Sequence, residues 1–265
     1  MTMEKQAADL NPDFVNKLQI GLTASAEELF QLILDPDCSF LNTLLKNPHI
    51  NEDHLLALLK RRDLSEELIN SIYKKHKQSL SHRTILALVK NTAASGTLIR
   101  NLLPTLRSFE LVDLCYLPGA TPDQKLAAER TILQRLPTTP LGNKITLARR
   151  GTANIVAALL KEGQSQLFEV CLSSPRLKEA AVFQFLRGAT AGAETISMVA
   201  RHDRWKQRPN LQLAILKNTK TPDIWFTLWL PKLPVPILKQ LQLSFKANPS
   251  KKRLVETEWK KRRGF

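Results

Sequence analysis

The stretch L-A-L-V-K-N-T, from Leu86 to Thr92, returns as L-A-I-L-K-N-T from Leu213 to Thr219, 127 positions later in a chain of 265 residues. At that offset, residues 14–138 align with residues 141–265 without a gap, and 25 of the 125 pairs are identical. Agreement of this extent indicates an internal repeat. We therefore predict two tandem copies of one unit, 1–138 and 139–265, that together form one continuous solenoid.

Each copy is itself divided by a shorter repeat. L-L-K-N-P-H-I-N-E-D-H begins at Leu44, and L-V-K-N-T-A-A-S-G-T-L begins at Leu88. In both, an apolar run ends at Lys-Asn and a short polar link leads to the next apolar run. Asn tolerates the left-handed conformation that closes many helices, and Lys offsets the negative end of the helix dipole. This punctuation predicts that helices end at Asn47, Asn91 and Asn218.

The composition indicates helices and no strands. The chain is 43% hydrophobic with only nine glycines, and its apolar residues recur at three- and four-residue spacings rather than alternating. Short links between short helices favour antiparallel neighbours. We predict an all-α fold, an α-solenoid of short antiparallel helical hairpins. In the first copy the helices are expected near residues 13–22, 25–35, 38–46, 51–62, 65–77, 82–91, 95–106, 108–116 and 122–136, and the second copy repeats them.

The links between the hairpins carry a resemblance to a known family. They read N-P-H-I-N-E, N-T-A-A-S and N-T-K-T-P. With the helices that they join, these links resemble the HEAT-like helical-repeat proteins of bacteria over most of the chain, although the repeat length departs from the standard HEAT spacing. The resemblance implies a scaffold or binding module. A few related solenoids act on nucleic acid, among them DNA glycosylases of the AlkD type. The resemblance transfers no catalytic residue to this sequence.

Cysteine use and hydropathy bear on the compartment. Cys38, Cys115 and Cys171 are odd in number and show no C-x-x-C spacing, so we expect reduced thiols and a reducing compartment. The first residues lack the apolar stretch of a signal peptide, and no run approaches the ~20 apolar residues that span a membrane. We expect a cytoplasmic protein.

Motifs for the common enzyme classes are missing from the sequence. There is no Gly-rich phosphate loop, no G-x-S-x-G elbow and no H-E-x-x-H helix. The best metal candidate is H-I-N-E-D-H, from His49 to His54. In the second copy, however, Arg176 and Ala181 stand at the positions aligned with the two histidines. We therefore favour a helix N-terminus capped by Asn51. No metal, cofactor or catalytic residue is predicted.

The charge is distributed unequally between the two copies. Residues 1–138 hold 16 Lys and Arg against 16 Asp and Glu, whereas residues 139–265 hold 23 against 8, which accounts for the net charge of +15. Folding does not require this excess, because the first copy is neutral. Net charge bears instead on association with partners. The second copy is therefore predicted to meet an acidic surface.

Three clusters carry the excess charge: the 201–208 segment, a Lys pair around the repeated link, and the bases near the C-terminus. Because equivalent positions of stacked repeats line up, we expect the clusters to form one stripe. The alternative is structural. Bases in last helical turns offset the dipole, and Trp205 packs into a link with an Arg stacked on it. The predicted polyanion-binding residues are Arg201, Arg204, Trp205, Lys206, Arg208, Lys217, Lys220, Lys251, Lys252 and Arg253.

These observations lead to one main functional hypothesis and two alternatives. The main hypothesis is a non-enzymatic helical-repeat scaffold whose second copy binds a macromolecule, which is an acidic protein or nucleic acid. The first alternative is a nucleic-acid-processing enzyme similar to the AlkD-type glycosylases, which requires an Asp or Glu beside Trp and Arg. All four tryptophans lie in the second copy. The second alternative is an anionic membrane surface bound by the C-terminal basic helix.

Overall fold

The computed structural model describes residues 12–245 and 249–263, and these residues form α-helices, short 3₁₀ helices and connecting turns. The all-α prediction is confirmed. The chain divides into two compact units, unit 1 at Met1–Thr131 and unit 2 at Ile132–Phe265. This division falls within a helix, a few residues before the boundary at 138 that the sequence suggests. None of the described helices is long and apolar enough to cross a membrane.

Unit 1 is built from short helices that follow the apolar periodicity of the sequence. Most begin and end within three residues of the predicted bounds. The helices are α1 Pro12–Thr23, α2 Ala26–Leu32, α3 Cys38–Leu44, α4 Glu52–Leu59, α5 Glu66–His76, α6 His82–Lys90, α7 Gly96–Leu102, α8 Ser108–Tyr116 and α9 Pro122–Arg135, the last of which contains the division between the units.

Unit 2 shows the same order of short helices. They are α10 Leu141–Arg150, α11 Ala153–Lys161, α12 Ser165–Ser173, α13 Glu179–Arg187, α14 Ala193–Arg201, α15 Pro209–Lys217, α16 Asp223–Trp229, α17 Val235–Ser244 and α18 Pro249–Arg263. Leu-Pro pairs begin the 3₁₀ helices Leu103–Thr105, Leu136–Thr138 and Leu230–Lys232. Pro suits these starts because it fixes φ and its missing N–H would have no helical partner.

Within each unit, a helix packs on its neighbour in sequence and on the helix after that. In unit 1, α1 packs on α3, α3 on α5, α2 on α4 and α4 on α6. In unit 2, α10 packs on α12, α12 on α14, α11 on α13 and α13 on α15. This is the solenoid-like packing of helical-repeat proteins, in which consecutive helices form hairpins and the hairpins stack. The C-terminal ends of alternate helices lie close together, because a side chain after one helix donates to carbonyl oxygens at the end of the helix two places before it.

Aromatic and leucine side chains fill the space between the stacked helices. In unit 2, the Phe168 and Phe185 rings lie 4.7 Å apart between their centroids, and both side chains are buried. Phe226 and Phe245 meet edge to face in a second cluster that also contains Val255. Burial of these apolar faces supplies most of the stability of such short helices, which are marginal in isolation.

The asparagines that follow helices have a different role from the one predicted. Asn91 and Asn218 do end α6 and α15, but their φ angles are −73° and −76°, and no non-glycine residue in the described ranges has a positive φ. The predicted left-handed conformation is therefore wrong. The side-chain amide of Asn91 instead donates to the carbonyl oxygens of Leu59 (2.9 Å) and Arg61 (2.8 Å), at the C-terminal end of α4.

This arrangement recurs along both units, and we call these contacts the helix-end hydrogen bonds. In each, a side chain after one helix donates to the last carbonyls of the helix two before it. The amide of Asn47 donates to the carbonyl oxygens of Gly21, in the last turn of α1, and of Ala24 just after it, and that of Asn218 donates to Leu186 in α13. Helix C-termini leave four carbonyls without a partner inside the helix, and these contacts satisfy some of them.

The N-terminal ends of the helices differ between the units. In unit 1, α2 to α7 each have a side chain that accepts a hydrogen bond from a backbone N–H of the first turn, and the capping residues are Ser25, Asp37, Asn51, Ser65, Ser81 and Ser95. In unit 2, Thr152 caps α11 in this way, whereas Lys178 and Arg208 occupy the cap positions of α13 and α15.

The three cysteines lie in different environments, and this leads to a labelling prediction. Cys38 is half-buried, whereas Cys115 and Cys171 are buried. Burial raises the pKa of Cys115 to about 11 and that of Cys171 to about 12. Because the thiolate is the reactive form, a maleimide is expected to label one cysteine in the folded protein and three in denaturant, as counted by mass spectrometry. The Cys38→Ser variant should remain unlabelled when folded. Rapid labelling of Cys171 in the folded protein would contradict this assignment.

Candidate functional site

Trp205 is part of the interior of unit 2. Its side chain is only 2% exposed, and its Nε1–H donates to the carbonyl oxygen of Leu172 at 3.0 Å. Leu172 lies in the last turn of α12, so Trp205 makes one of the helix-end hydrogen bonds. A ring in this position is closed to a nucleic-acid base. The structure therefore supports the packing role that the sequence offered as the alternative.

Arg204 is also engaged in internal contacts. Its guanidinium lies 4.4 Å from the centroid of the Trp205 ring and donates to the carbonyl oxygens of Ser174 (2.7 Å) and Leu177 (2.9 Å). These carbonyls follow α12, where the helix dipole favours a cation. Although the residue has exposed surface, its charged group is oriented by the fold. A role in binding would compete with these contacts.

The other bases of the 201–208 segment make fewer contacts with the interior of the fold. Lys206 forms an ion pair with Asp203 at 2.5 Å, and Arg208 lies 3.9 Å from the carboxylate of Glu179 with 55% of its side chain exposed. Arg201 ends α14 and is exposed. This segment therefore leaves Arg201 and Arg208 as the bases best placed to meet a partner.

The C-terminal bases likewise divide into a buried base that contacts the fold and bases that are more exposed. Lys251 is 5% exposed, and its Nζ donates to the carbonyl oxygens of Asn218 and Thr219 after α15. Burial lowers the pKa of Lys251. Lys252 pairs with Glu256 at 3.6 Å along α18, and Arg253 is exposed. Lys251 thus supports the fold, while Arg253 faces solvent.

The predicted clusters do not form a single stripe. Arg208 precedes α15 and Lys217 is its last residue, so the 201–208 segment and the repeated link lie at opposite ends of this helix. Nine helical residues extend over roughly 13 Å. The sequence expectation overlooked that the links before and after a helix belong to different edges of a stack of hairpins. Unit 2 therefore has two separate basic regions.

One of these basic regions contains a groove, which we call the α13–α15 groove. It lies between the C-terminal ends of α13 and α15 and encloses about 750 Å³. Its lining includes the apolar residues Phe183, Leu213 and Ala214, which we call the floor, and residues 187–189 and 217–220, which we call the rim. Its volume is in the range of ordinary ligand pockets.

Three cations surround this groove. Arg187 and Lys217 are the last residues of α13 and α15, and both are exposed. The guanidinium of Arg187 lies 5.7 Å from the centroid of the Phe183 ring. The Nζ of Lys220 donates to the carbonyl oxygen of Ala189 at 2.8 Å across the groove mouth. Because the amide of Asn218 satisfies the Leu186 carbonyl, the negative end of α13 is partly neutralised.

Sequence reasoning missed Arg187 and Phe183 and found Lys217 and Lys220. Arg187 is a single base at the end of a helix, outside the three dense clusters. The signal that could have found it is its register, because Arg187 ends α13 just as Lys217 ends α15, and these two helices stack. Charge clustering in the sequence therefore gave less information than position within the repeat.

The remaining tryptophans also belong to the packing of unit 2. Trp225 is 7% exposed and its Nε1–H donates to the Ser197 hydroxyl at 3.0 Å, while Trp229 and Trp259 pack against the cluster around Phe226. Their rings thus contribute to the interior.

The 49–54 stretch, with its two histidines, forms the N-terminal end of α4 and the turn before it. Asn51 caps α4, as predicted, by accepting from the N–H groups of Asp53 and His54. The buried His54 accepts from the Asn51 N–H at Nδ1 and lies 2.8 Å from the Ala26 carbonyl at Nε2. His49 is exposed. The described residues contain no group of three or more His, Cys, Asp or Glu side chains placed to hold a metal ion.

Fold and sites together define an all-helical protein of stacked helical hairpins with a basic second unit. Comparison with known proteins places it no further, because no family model, no curated protein and no solved structure matches the chain.

Proposed function

We propose that this protein is a non-enzymatic helical-repeat binding module and that unit 2 binds an acidic protein. The observation that carries the proposal is the charge of the two units. Residues 132–265 contain 24 Lys and Arg against 8 Asp and Glu, whereas residues 1–131 contain 15 against 16. Both units consist of stacked short helices, so the architecture alone does not account for the excess.

The bases at helix N-termini strengthen this argument. Lys178 and Arg208 occupy the cap positions of α13 and α15, where the helix dipole is positive and a cation is unfavourable. The residues 127 positions earlier are Asn51 and Ser81, which cap α4 and α6 with their side chains. At these two positions unit 2 therefore has a base where unit 1 has a side-chain cap, and of the two bases Arg208 lies 3.9 Å from the Glu179 carboxylate. An acidic partner gives these charges a use.

The same comparison supports a common origin of the two units. Eight of the nine helices of unit 2 begin 127 residues after their counterparts in unit 1, and the remaining one begins within two residues of that offset. We infer that the units are two copies of one ancestor. On this inference, residues that the two units share serve the fold, and residues that differ in unit 2 serve the binding of its partner.

An acidic protein fits the surface better than nucleic acid does. Proteins that bind single strands commonly stack bases on exposed aromatic rings between their cations. Here Trp205 and Trp225 are buried, and Trp229 and Trp259 pack against the interior. A protein surface needs only complementary charge and apolar contact, both of which unit 2 offers.

The test measures binding and stability together. Fluorescence anisotropy of a labelled oligoglutamate peptide is recorded against the intact protein across a salt series, beside oligonucleotides of equal charge. For the unmodified protein, we expect the peptide to bind with an affinity that falls about tenfold between roughly 50 and 200 mM salt. The variant Lys178→Asn/Arg208→Ser, which restores the unit 1 caps, should bind more weakly and gain about 1–3 kcal/mol in free energy of unfolding.

The matched control removes two charges from unit 1. Lys60→Gln/Lys90→Gln makes the same change in net charge at exposed helix ends, and it should leave the affinity within about twofold. Absence of peptide binding at low salt would refute the proposal. Tighter binding of an oligonucleotide would assign the surface to nucleic acid, and preferential binding of anionic lipid vesicles would assign it to a membrane.

A further inference from the structure

We propose that the α13–α15 groove is a specific site for a short acidic peptide segment with an apolar side chain at its centre. This inference rests on the proposed function, and it adds to the N-terminal bases a second contact region in unit 2, together with the chemistry of the segment that binds there. The groove is distinct from the N-terminal bases, because it lies at the opposite ends of α13 and α15.

The floor of the groove is complementary to an apolar group. Phe183 and Leu213 are half-buried, and Ala214 is 6% exposed beneath them. A leucine or similar side chain that enters between α13 and α15 would remove this remaining apolar surface from water, which is the main source of affinity in such contacts. A fully charged or phosphate ligand would leave the floor exposed.

The charges at the rim are complementary to carboxylates on both sides of that apolar group. Arg187 is the last residue of α13 and Lys217 the last of α15, and both line the groove beside the floor residues of these helices. Lys220 lies across the mouth through its contact with the Ala189 carbonyl and retains two further N–H donors. An acidic residue before the apolar side chain and another after it would each meet a cation.

Small residues form part of the groove lining. Gly188 and Ala189 follow α13 with little or no side chain. The corresponding residues 127 positions earlier are Arg61 and Arg62, and the guanidinium of Arg61 donates to the carbonyl oxygens of Ile33 and Asp35 and pairs with Asp63 at 2.6 Å. The φ of Gly188 is −81°, a value that any residue adopts. A Cβ at Gly188 would lie 3.2 Å from the Phe185 carbonyl oxygen, so glycine avoids close packing at the end of α13, and this residue adds no side chain to the groove lining.

The experiment uses the intact protein and two labelled peptides. One carries Glu-Glu-Leu-Glu-Glu at its centre, and the other carries Glu-Glu-Ser-Glu-Glu with the same charge. We expect the leucine peptide to bind about fivefold more tightly. The Arg187→Glu/Lys217→Glu variant should weaken its binding about tenfold or more. Lys60→Glu/Lys90→Glu reverses the aligned bases of unit 1 and should weaken it less than about threefold.

A second variant fills the groove without changing the charge. Ala189→Trp places a bulky ring at the exposed mouth and should abolish the preference for leucine over serine. Ala180→Trp, at an exposed position of α13 outside the groove, should preserve that preference. Far-UV circular dichroism and thermal unfolding verify the fold of each variant. If a charge-reversal variant fails to fold, the corresponding Gln variant takes its place, because it removes the attraction without introducing repulsion.

The outcomes separate this inference from the function on which it rests. Equal binding of the two peptides, or equal losses in the unit 1 and unit 2 variants, would overturn the groove as a specific site and leave general binding of acidic proteins intact. Competition by inorganic tripolyphosphate that exceeds competition by the leucine peptide would also overturn it, in favour of phosphate. Failure of both peptides to bind at low salt would refute both proposals.

Discussion

Replacement of Trp205 with alanine is expected to lower the free energy of unfolding of unit 2 by about 3–5 kcal/mol, as measured by urea denaturation followed by circular dichroism. The side chain is 2% exposed, its N–H satisfies the Leu172 carbonyl, and the Arg204 guanidinium stacks on its face. Truncation would leave a cavity at the ends of α12 and α14 and would remove the surface that orients Arg204. Both losses fall on contacts between stacked helices.

Two further variants identify the source of this loss. Trp205→Phe keeps most of the apolar contact and loses the hydrogen bond, so it should cost about 1–2 kcal/mol. Gln78 is the aligned residue of unit 1 and is exposed, so Gln78→Ala should change the stability by less than about 0.5 kcal/mol. An alanine variant of Trp205 as stable as the original protein would show that the ring is accessible in solution. The predicted polyanion-binding role of Trp205 would then regain support.

Replacement of Asn91 with alanine is expected to lower the free energy of unfolding of unit 1 by about 2–4 kcal/mol. Asn91 is 6% exposed, and its amide donates to the carbonyls of Leu59 and Arg61 while its Oδ1 accepts from the Ala93 N–H. Alanine provides none of these bonds, and the Leu59 carbonyl would remain buried without a partner. Urea denaturation of the intact protein measures the change.

The Asn91→Gly variant distinguishes two roles of the asparagine. A residue that closes a helix in the left-handed conformation is replaced by glycine with little loss. Because Asn91 has a φ of −73° and acts through its side chain, glycine should be at least as destabilising as alanine. Asn101, exposed in α7, provides the control, and Asn101→Ala should stay within about 0.5 kcal/mol. A stable glycine variant would contradict the helix-end hydrogen bonds as a source of stability.

Local sequence signals predicted the helices well because most of them act over a few residues. Apolar periodicity and the Lys-Asn links located the helix ends, and the Asn51 cap of α4 was read from neighbouring residues alone. The hydrogen-bonding role of the asparagines at the helix ends was missed because their partners lie about 30 residues away in the sequence. Asn91 bonds to Leu59, and Asn218 bonds to Leu186. No local pattern reports such a partner.

The candidate site was only partly accessible to sequence reasoning. Clusters of bases drew attention to the 201–208 segment, but Arg204 and Trp205 turn inward to the end of α12. The α13–α15 groove arises from residues of two helices and from the small side chains between them. Its members are separated in sequence by about 30 residues and become neighbours only when α13 and α15 stack. The density of charges along the sequence does not show which distant residues become neighbours in the fold.

The helix-end hydrogen bonds have a consequence for how the units lose structure. Each bond joins a helix to the one two places earlier, so the loss of one hairpin exposes the carbonyls at the end of the hairpin before it. Stability is then shared between adjacent hairpins rather than gathered in one nucleus, as in a one-dimensional array with nearest-neighbour coupling. Fraying should begin at hairpins with a neighbour on one side only. Within unit 1, the hairpin of α3 and α4 has neighbours on both sides, so it is expected to be among the last to open.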